Sequence, residues 1–366
     1  MNKLNLSIGL LAFAVSQANA GGFENARLDT SFMYDKGNLI SFGSVRKDFS
    51  VNGSAFGTTS SLIGDRSASN FSAKYQVNEK LALGLTAYDS GAIHINYQGA
   101  GASAGLLPSL VNASGPKVNL TSDSIALLAN YSVSKEFSFT AGARYDKYKV
   151  TDADIFKLQG GTDIAQVSSD SDIVPVIAAA YSLPDIALRV EILYQGQAKV
   201  AVPTTCAYGS GGCSSDTSTG GLAEFLTLNF QTGIMEDTLL LGSVHKGKWA
   251  SSQLSVADTT PATATSAFED STEYSLGLGR KFTDTISGSI SYNWEPEGSS
   301  TTTSLFTVNN GYKGVSLGVK YAVENFEIAA GYNYTKLGDV TYTSLGGNTL
   351  EGNTVNAVGA KATIRF

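Results

Sequence analysis

The sequence predicts an all-β protein: a transmembrane antiparallel β-barrel of about 14 strands, with a short plug-like segment at its N-terminus. Three observations predict it. Apolar and polar residues alternate along many segments, and these segments reach about ten to sixteen residues, enough to cross a bilayer at a tilt. The linkers between them alternate between very short and long, as in outer-membrane barrels.

The alternation has a period of two, the period of a strand whose side chains point to opposite faces. Residues 186–194 place Ile186 and Ile192 on one face and Arg189 and Glu191 on the other. The last segment places Val358, Ile364 and the C-terminal Phe366 on an apolar face. An even strand count lets both termini lie on the periplasmic side, and closure removes the sheet edges that lipid could not satisfy. The predicted strands are 39–51, 67–77, 80–97, 118–133, 136–150, 171–182, 185–198, 223–234, 237–254, 268–282, 285–298, 310–322, 325–341 and 352–366.

The first 20 residues have the pattern of a secretory signal peptide. Lys3 supplies the positive charge, residues 4–15 form a short apolar core, and Ala18-Asn19-Ala20 is a small-x-small cleavage site. The sequence therefore predicts a signal peptide over 1–20, a short hatch-like segment over 21–38 and the barrel over 39–366, in a bacterial outer membrane.

Composition and motifs argue against an enzyme and against nucleic acid as a partner. The chain has 42% hydrophobic and 16% charged residues, and its net charge of −7 disfavours binding to a polyanion. His94 and His245 stand alone in the sequence, which favours ordinary structural roles for both. No catalytic motif, phosphate-binding glycine loop or metal-binding motif is found, so we expect no catalytic residues, no cofactor and no metal.

Two cysteines, Cys206 and Cys213, lie in the Gly-rich stretch TTCAYGSGGCSSDT. An exported chain can oxidise such a pair, and a loop of this length can close. A disulfide in an outer loop is favoured over two free thiols.

The face opposite the apolar one carries basic side chains, which predicts that they point into the lumen. Arg144, Arg189, Lys281 and Lys320 are the candidates to contact an anionic substrate head group. Acidic residues share that face, so the competing interpretation, which we favour, is a self-neutralising network that fills the barrel. Further lumen-face charges are Lys361, Arg365, Asp146, Glu191, Glu295 and Glu327.

The third predicted strand contains an irregularity. Its alternation falters at Tyr88, Asp89, Ser90 and Gly91, where a glycine can host a bulge or bend. A bend there would open the wall sideways into lipid, and a harmless irregularity is an equally good interpretation. The linker after this strand, Gly99–Leu110, is apolar for an exposed loop and is a candidate capture patch.

Five segments together resemble the FadL/TodX family of outer-membrane transporters for long-chain fatty acids and other hydrophobic compounds, and the resemblance covers nearly the whole mature chain. They are FSAKYQVNEKLALGLTAYDS (71–90), IALRVEILYQ (186–195), LNFQTGIMEDTLLLGSVHKGKW (228–249), YSLGLGRKFTDTISGSISYNWEP (274–296) and GVSLGVKYAVENFEIAAGYNYTKLGD (314–339).

The resemblance implies 14 strands, an N-terminal hatch inside the lumen, hydrophobic binding sites and lateral exit through a kink in the third strand, which Tyr88–Gly91 would form here. Two family features have no counterpart. The Asn-Pro-Ala motif is missing from residues 21–38, and no Pro-Phe follows the kink.

These expectations define the functional hypotheses. The first is passive uptake of hydrophobic small molecules, most of all long-chain fatty acids, by a monomer embedded in outer-membrane lipid and lipopolysaccharide. The alternatives are a general diffusion porin for hydrophilic solutes, which the lumen charges would suit, and an adhesin barrel that binds partners through its long loops.

Overall fold

The computed structural model describes residues 22–53, 61–96, 117–154, 168–203, 217–255, 266–304, 306–343 and 348–366. The strands in these ranges are, in chain order, β1 (Leu39–Ser50), β2 (Arg66–Gln76), β3 (Leu81–Asn96), β4 (Lys117–Ser132), β5 (Phe137–Asp154), β6 (Ser168–Leu183), β7 (Leu188–Gln195), β8 (Val200–Pro203), β9 (Thr217–Gly220), β10 (Phe225–Met235), β11 (Thr238–Gly247), β12 (Ser271–Lys281), β13 (Ile286–Glu295), β14 (Thr301–Thr302), β15 (Tyr312–Val323), β16 (Phe326–Leu337), β17 (Val340–Tyr342), β18 (Asn348–Leu350) and β19 (Thr354–Arg365).

Fourteen of these strands form a closed antiparallel barrel, which confirms the predicted fold class. Each strand pairs with its neighbour along the chain, and β1 closes the barrel against β19, with Leu39 opposite Arg365 and Ser50 opposite Thr354. Closure matters because an open edge would leave backbone groups without partners in lipid. The five remaining strands, β8, β9, β14, β17 and β18, form two small sheets that are separate from the barrel sheet.

Predicted and observed strands agree in number and order and differ mainly at their ends. The strand predicted over 237–254 ends at Gly247, because residues Trp249–Ser251 form a 3-10 helix. Two other 3-10 helices, Ser31–Tyr34 and Pro184–Ile186, are equally short. In the described part of the chain, no helix combines the length and the apolar character needed to span a membrane.

The predicted faces are also confirmed. In β1 the burial alternates strictly, with Ile40 and Phe42 exposed and Leu39 and Ser41 buried. Exposed apolar side chains recur around the barrel wall, as at Leu127, which is 63% exposed. An apolar outer wall around an inward-facing polar surface is the arrangement of an outer-membrane barrel.

At one end of the barrel, tight turns connect neighbouring strands. Three of them contain a non-glycine residue with a positive φ: Ala187 at 52°, Asp237 at 57° and Glu324 at 44°. The two-residue turns that contain Asp237 and Glu324 need this left-handed conformation to follow the right-handed twist of the strands. Ala187 instead ends the 3-10 helix Pro184–Ile186. The predicted short turns therefore all lie at this end, and the long linkers lie at the other.

The lumen at the long-linker end is filled by apolar side chains, here called the mouth cluster. Its members come from the strand ends and from the segments that return from the linkers, and they include Phe23, Ile93, Phe225, Trp249, Phe268, Phe306, Val308 and Tyr342. The small sheets β8–β9 and β14–β17–β18 contribute to it through Val200, Val202, Val340 and Leu350. The barrel is thus apolar inside at its mouth and polar below.

A charge placed on the lipid-facing wall should destabilise the barrel according to its depth. We expect Leu127→Arg, in the middle of β4, to lower the free energy of unfolding by about 2–4 kcal/mol, and Tyr75→Arg, beside a short turn, by about 0–1 kcal/mol. Urea unfolding in lipid vesicles measures both values. Equal costs at the two positions would contradict the assignment of Leu127 to the bilayer interior.

Candidate functional site

Residues 22–38, here called the lumen segment, run inside the barrel. Phe23, Glu24 and Asn25 are buried, as are Leu28 and Thr30. The segment turns through the 3-10 helix Ser31–Tyr34 before it enters β1. The hatch predicted over 21–38 stays a prediction; Phe32 and Met33 are buried as well, whereas Lys36 and Gly37 are exposed.

The lower part of the lumen segment is held by Glu191, whose carboxylate accepts three hydrogen bonds. Thr30 Oγ1 donates at 2.8 Å, Tyr34 Oη at 2.6 Å and Asn229 Nδ2 at 2.9 Å. Because donors from the segment and from the wall meet on one buried carboxylate, Glu191 fixes the segment to the barrel.

The upper part is held by an ion-pair cluster. Glu24 Oε2 lies 3.1 Å from Arg27 Nε and 3.2 Å from His245 Nε2. Arg27 also contacts the carboxylate of Glu273, which accepts a hydrogen bond from Tyr312. Four of these five residues are less than 6% exposed. Two charged residues of the lumen segment are thereby joined to β11, β12 and β15.

The ion pairs change the acidity of Glu24. Burial alone would raise the pKa of this carboxyl group, but the charges of His245 and Arg27 outweigh it and lower the pKa from 4.5 to about 2. A depressed carboxyl pKa gives stability that is fully present above pH 4.5 and is lost as the pH falls through about 2. Glu24 therefore stays ionised at neutral pH, and its contacts with Arg27 and His245 are those of a carboxylate.

Glu24, His245 and Glu273 are residue types that bind metals, and one potential ligand atom of each lies within 4.8 Å of the others. The guanidinium of Arg27 already contacts both carboxylates, so the positive charge is supplied by the chain itself. His245 Nδ1 is bonded to Thr227 Oγ1 at 2.8 Å. The geometry fits an ion-pair cluster better than a metal site.

The irregularity predicted in the third strand is a β-bulge. The register of β3 against β4 shifts between Asp89 and Gly91, so that Asp89 faces Asp123 while Gly91 faces Ser122. One extra residue reverses the faces of the strand. Tyr88 points inward before the bulge, and Ile93 and Ile95 point into the mouth cluster after it.

The bulge coincides with an interruption of the wall between β2 and β3. Their ladder ends at Asn70 opposite Tyr88. Backbone bonding resumes only where Gly64 N donates to His94 O at 2.9 Å. Between these points the Asp89 carboxylate accepts a hydrogen bond from Ser69 N at 2.8 Å, and Arg66 donates to Ala92 O at 2.5 Å.

The lumen segment occupies this interruption. Asn25 N donates to Ser90 O at 2.8 Å, and Ala92 N donates to Phe23 O at 2.9 Å, which forms an antiparallel bridge between Glu24 and Gly91. The backbone of Phe23–Asn25 thus replaces part of the missing β2 ladder. On β1, Lys47 Nζ donates to Asn25 O at 2.5 Å and strengthens the contact.

A buried polar network supports the bulge from behind. Ser90 Oγ lies 3.0 Å from Ser122 Oγ and 2.6 Å from Ser124 Oγ. Ser124 also bonds Asp146, which pairs with Arg144 at 2.8 Å. Arg144 is 1% exposed and donates to Gln195 Oε1 at 2.5 Å as well. Its guanidinium is committed to this network, so a head-group role would require the network to break.

The other predicted head-group residues are also engaged. Arg189 lies 4.6 Å from the centroid of the Tyr34 ring and donates to Gln231 at 3.1 Å. Lys320 is paired with Glu327 at 3.4 Å. Lys281 shares the lumen face but sits at the short-turn rim, paired with Asp284 at 2.7 Å. This pairing agrees with the self-neutralising network rather than with cations held ready for a ligand.

Phe23 connects the interruption to the mouth cluster. Its ring lies 5.3 Å from the Trp249 ring and 6.4 Å from the Phe268 ring. A Cβ atom on Gly22 would come within 2.2 Å of Trp249, so only glycine allows this approach. Below the cluster the lumen holds a cavity of about 210 Å³, which both polar and apolar side chains line.

Sequence reasoning missed the roles of Phe23, Glu24 and Asn25. An apolar residue followed by an acid and an amide, in a short segment before the first strand, carries no periodic signal. Cys206, Cys213 and the loop Gly99–Leu110 lie outside the described residues, so the disulfide and the capture patch stay predictions.

The fold and the filled lumen define a class: the outer-membrane β-barrel proteins. The family model described as "TonB dependent receptor-like, beta-barrel" matches residues 8–192, just over half of the chain. The protein therefore belongs to this family. No curated protein sequence matches the chain.

Solved structures give a finer comparison of the fold. A FadL homologue of Pseudomonas aeruginosa is similar with a TM-score of 0.67 and 12% identity, over 92% of each chain. The toluene transporter TodX of P. putida has a TM-score of 0.63 and 12% identity, over 91% of each chain. The monoaromatic hydrocarbon channel CymD has a TM-score of 0.56 and 13% identity, over 92% of this chain and 90% of its own. The chain thus has the fold of these channels.

Glu24→Gln should loosen the lumen segment. Removal of one member of a buried ion pair leaves the others unpaired and costs about 3–5 kcal/mol. We expect faster hydrogen exchange of residues 22–34 at pH 7, measured by mass spectrometry, while the barrel strands stay protected. Asp48→Asn, which removes an exposed carboxylate on the outside of β1, is the control. Unchanged exchange in the Glu24 variant would show that the ion pairs do not hold the segment.

Proposed function

We propose that the protein is a passive outer-membrane channel for hydrophobic small molecules, which leave the barrel sideways between β2 and β3. One observation carries the proposal: the β2–β3 ladder is interrupted directly below the apolar mouth cluster, and the backbone of Phe23–Asn25 pairs with β3 in its place. Within the interruption, β2 itself reaches β3 through the side-chain bonds of Asp89 and Arg66. A movable segment over a gap in the wall is the requirement for a lateral exit.

The arrangement supports a path in three steps. A hydrophobic molecule partitions into the mouth cluster, because apolar side chains receive it more favourably than water does. It then reaches Phe23, whose ring belongs to the cluster while its backbone closes the gap. Displacement of Phe23–Asn25 opens a route between Ser67–Ser69 and Ser90–Ala92 into the bilayer, where the molecule stays dissolved.

The direction of transport follows from the concentration gradient. The described residues include no nucleotide-binding element, and partition into membrane lipid is itself favourable for an apolar molecule. The bulge network of Ser90, Ser124, Asp146 and Arg144 fixes one side of the gap, so the lumen segment is the part that moves.

Long-chain fatty acids are the first substrate candidates, on the strength of the family resemblance in sequence. Monoaromatic hydrocarbons are the second, and one observation favours them: Arg144, Arg189, Lys281 and Lys320 are all engaged by other groups. A carboxylate head group would have to break an existing pair, whereas a neutral hydrocarbon would not. Uptake of radiolabelled oleate and of toluene by cells with and without the protein separates the two.

Closing the gap should stop uptake without preventing assembly. A Cβ on Gly91 would lie 2.9 Å from the Phe23 ring and 3.1 Å from Ser122 Cβ, so a leucine at this position would crowd the Phe23 ring and obstruct the route beside Ser90–Ala92. We expect uptake of the preferred substrate to fall to that of cells lacking the protein. The control is Gly288→Leu, whose nearest neighbour is the movable Phe282 side chain. Normal uptake by an assembled Gly91→Leu barrel would reject the lateral exit.

Conductance separates this proposal from a general diffusion porin. Because the lumen segment and the mouth cluster fill the barrel, we expect small and infrequent currents from the purified protein in planar bilayers. A porin would instead give a large and steady conductance. Glu24→Gln should increase the frequency of opening, since it weakens the docking of the segment.

A further inference from the structure

A second polar site lies at the long-linker end, on the opposite side of the barrel from the bulge. It is a pocket of about 500 Å³ between the beginning of β12, the end of β13 and residues 306–310. Four acidic residues line it, and among its described lining residues there is no Lys, Arg or His. The acidic residues are Glu269, Asp270, Glu295 and Glu297. Such an excess of negative charge creates a potential that attracts cations.

Three buried oxygen atoms that line the pocket have no hydrogen-bond partner. They are Ser271 Oγ, Thr307 Oγ1 and Asn309 Oδ1, on residues that are 5%, 8% and 0% exposed. A buried polar atom without a partner costs free energy, and native proteins rarely retain one without a reason. Three such atoms around one acidic pocket indicate that a ligand satisfies them.

The backbone aims two of these atoms into the pocket. In residues 306–309 the side chains alternate: Phe306 and Val308 belong to the mouth cluster, while Thr307 and Asn309 line the pocket. Asn309 Nδ2 donates to Gly311 O at 3.2 Å. This bond fixes the amide so that Oδ1 is the atom left to face the pocket.

We propose that this pocket binds Ca²⁺. All of the candidate ligand atoms are oxygens, which excludes the nitrogen and sulfur sets that Zn²⁺ prefers. Ca²⁺ takes 6–8 oxygen ligands from carboxylates, amide carbonyls and hydroxyls in variable geometry, whereas Mg²⁺ requires a near-ideal octahedron. Glu295, which is buried, supplies the charge, and Ser271, Thr307 and Asn309 supply neutral oxygens.

The two carboxylates nearest the outer rim have additional structural tasks. Glu269 Oε2 accepts a hydrogen bond from Ser299 N at 3.2 Å, and Asp270 Oδ1 accepts one from Ala250 N at 2.9 Å. These bonds hold the loops around the pocket, and we assign the ion to the carboxylates of Glu295 and Glu297, which line the same pocket. The ion would join β12 and β13 to residues 306–310, and through Phe306 and Val308 it would fix the mouth cluster.

Terbium luminescence tests the site directly. Tyr274 lines the pocket and stacks on Trp294 with ring centroids 5.1 Å apart, so excitation of these rings should sensitise a bound Tb³⁺ ion. With the purified full-length protein in detergent, we expect saturable Tb³⁺ luminescence that Ca²⁺ displaces and Mg²⁺ displaces much less well. Isothermal titration with Ca²⁺ should give a dissociation constant of about 10⁻⁴–10⁻³ M, the range of extracellular calcium modules.

Variants separate this pocket from general binding to acidic surfaces. Glu295→Gln should weaken Ca²⁺ binding about tenfold or more. Glu236→Gln removes an exposed carboxylate in a short turn and should leave binding unchanged. Heat-modifiable migration on gels reports whether each barrel has assembled. If Glu295→Gln does not assemble, the exposed Glu297→Gln carries the test, with an expected loss of about threefold.

Three results would overturn the proposal. They are the absence of saturable Ca²⁺ binding by the wild-type protein, equal affinity in the assembled Glu295 and Glu236 variants, and equal displacement of Tb³⁺ by Mg²⁺ and Ca²⁺. Uptake of hydrophobic substrates is not part of the readout, so the calcium site stands or fails independently of the transport proposal.

Discussion

The whole structure depends on one constraint: backbone N–H and C=O groups inside a bilayer must find partners within the protein. Fourteen antiparallel strands meet it by closing β1 on β19. The wall departs from this rule between β2 and β3, where the ladder stops at Tyr88 and resumes at His94. There the backbone of Phe23–Asn25 supplies two of the bonds, so the lumen segment completes the wall as well as filling the lumen.

Because the lumen segment completes the wall, it has to be attached to the barrel. Buried charges provide such an attachment. When Glu24 and Arg27 dock, they lose their bound water and gain partners on three strands. The cost of this desolvation and the Coulombic gain nearly cancel. A segment held in this way stays docked as a unit, because the release of one charged group alone would leave its partner buried and unpaired.

The barrel separates its two internal environments along its axis. The mouth cluster is apolar, whereas the lower lumen is polar and its described charges are largely paired. The bulge lies at the boundary. Because the register changes there, Tyr88 points inward below the bulge, and Ile93 and Ile95 point inward above it. The fold is shared with the FadL homologue and with TodX at about 12% identity, which is expected when period and closure, rather than particular side chains, determine a barrel.

The sequence by itself determined the number, order and facing of the strands, the short turns and the position of the bulge. These features are local, because a period of two and its interruption at Tyr88–Gly91 are visible within a single segment. Only the tertiary structure decided that Arg144 supports the bulge, that Glu24 meets His245 and Glu273, and that Ser271 and Asn309 share a pocket. These contacts join residues far apart in the chain, and they exist only because closure of the barrel brings distant strands around one lumen.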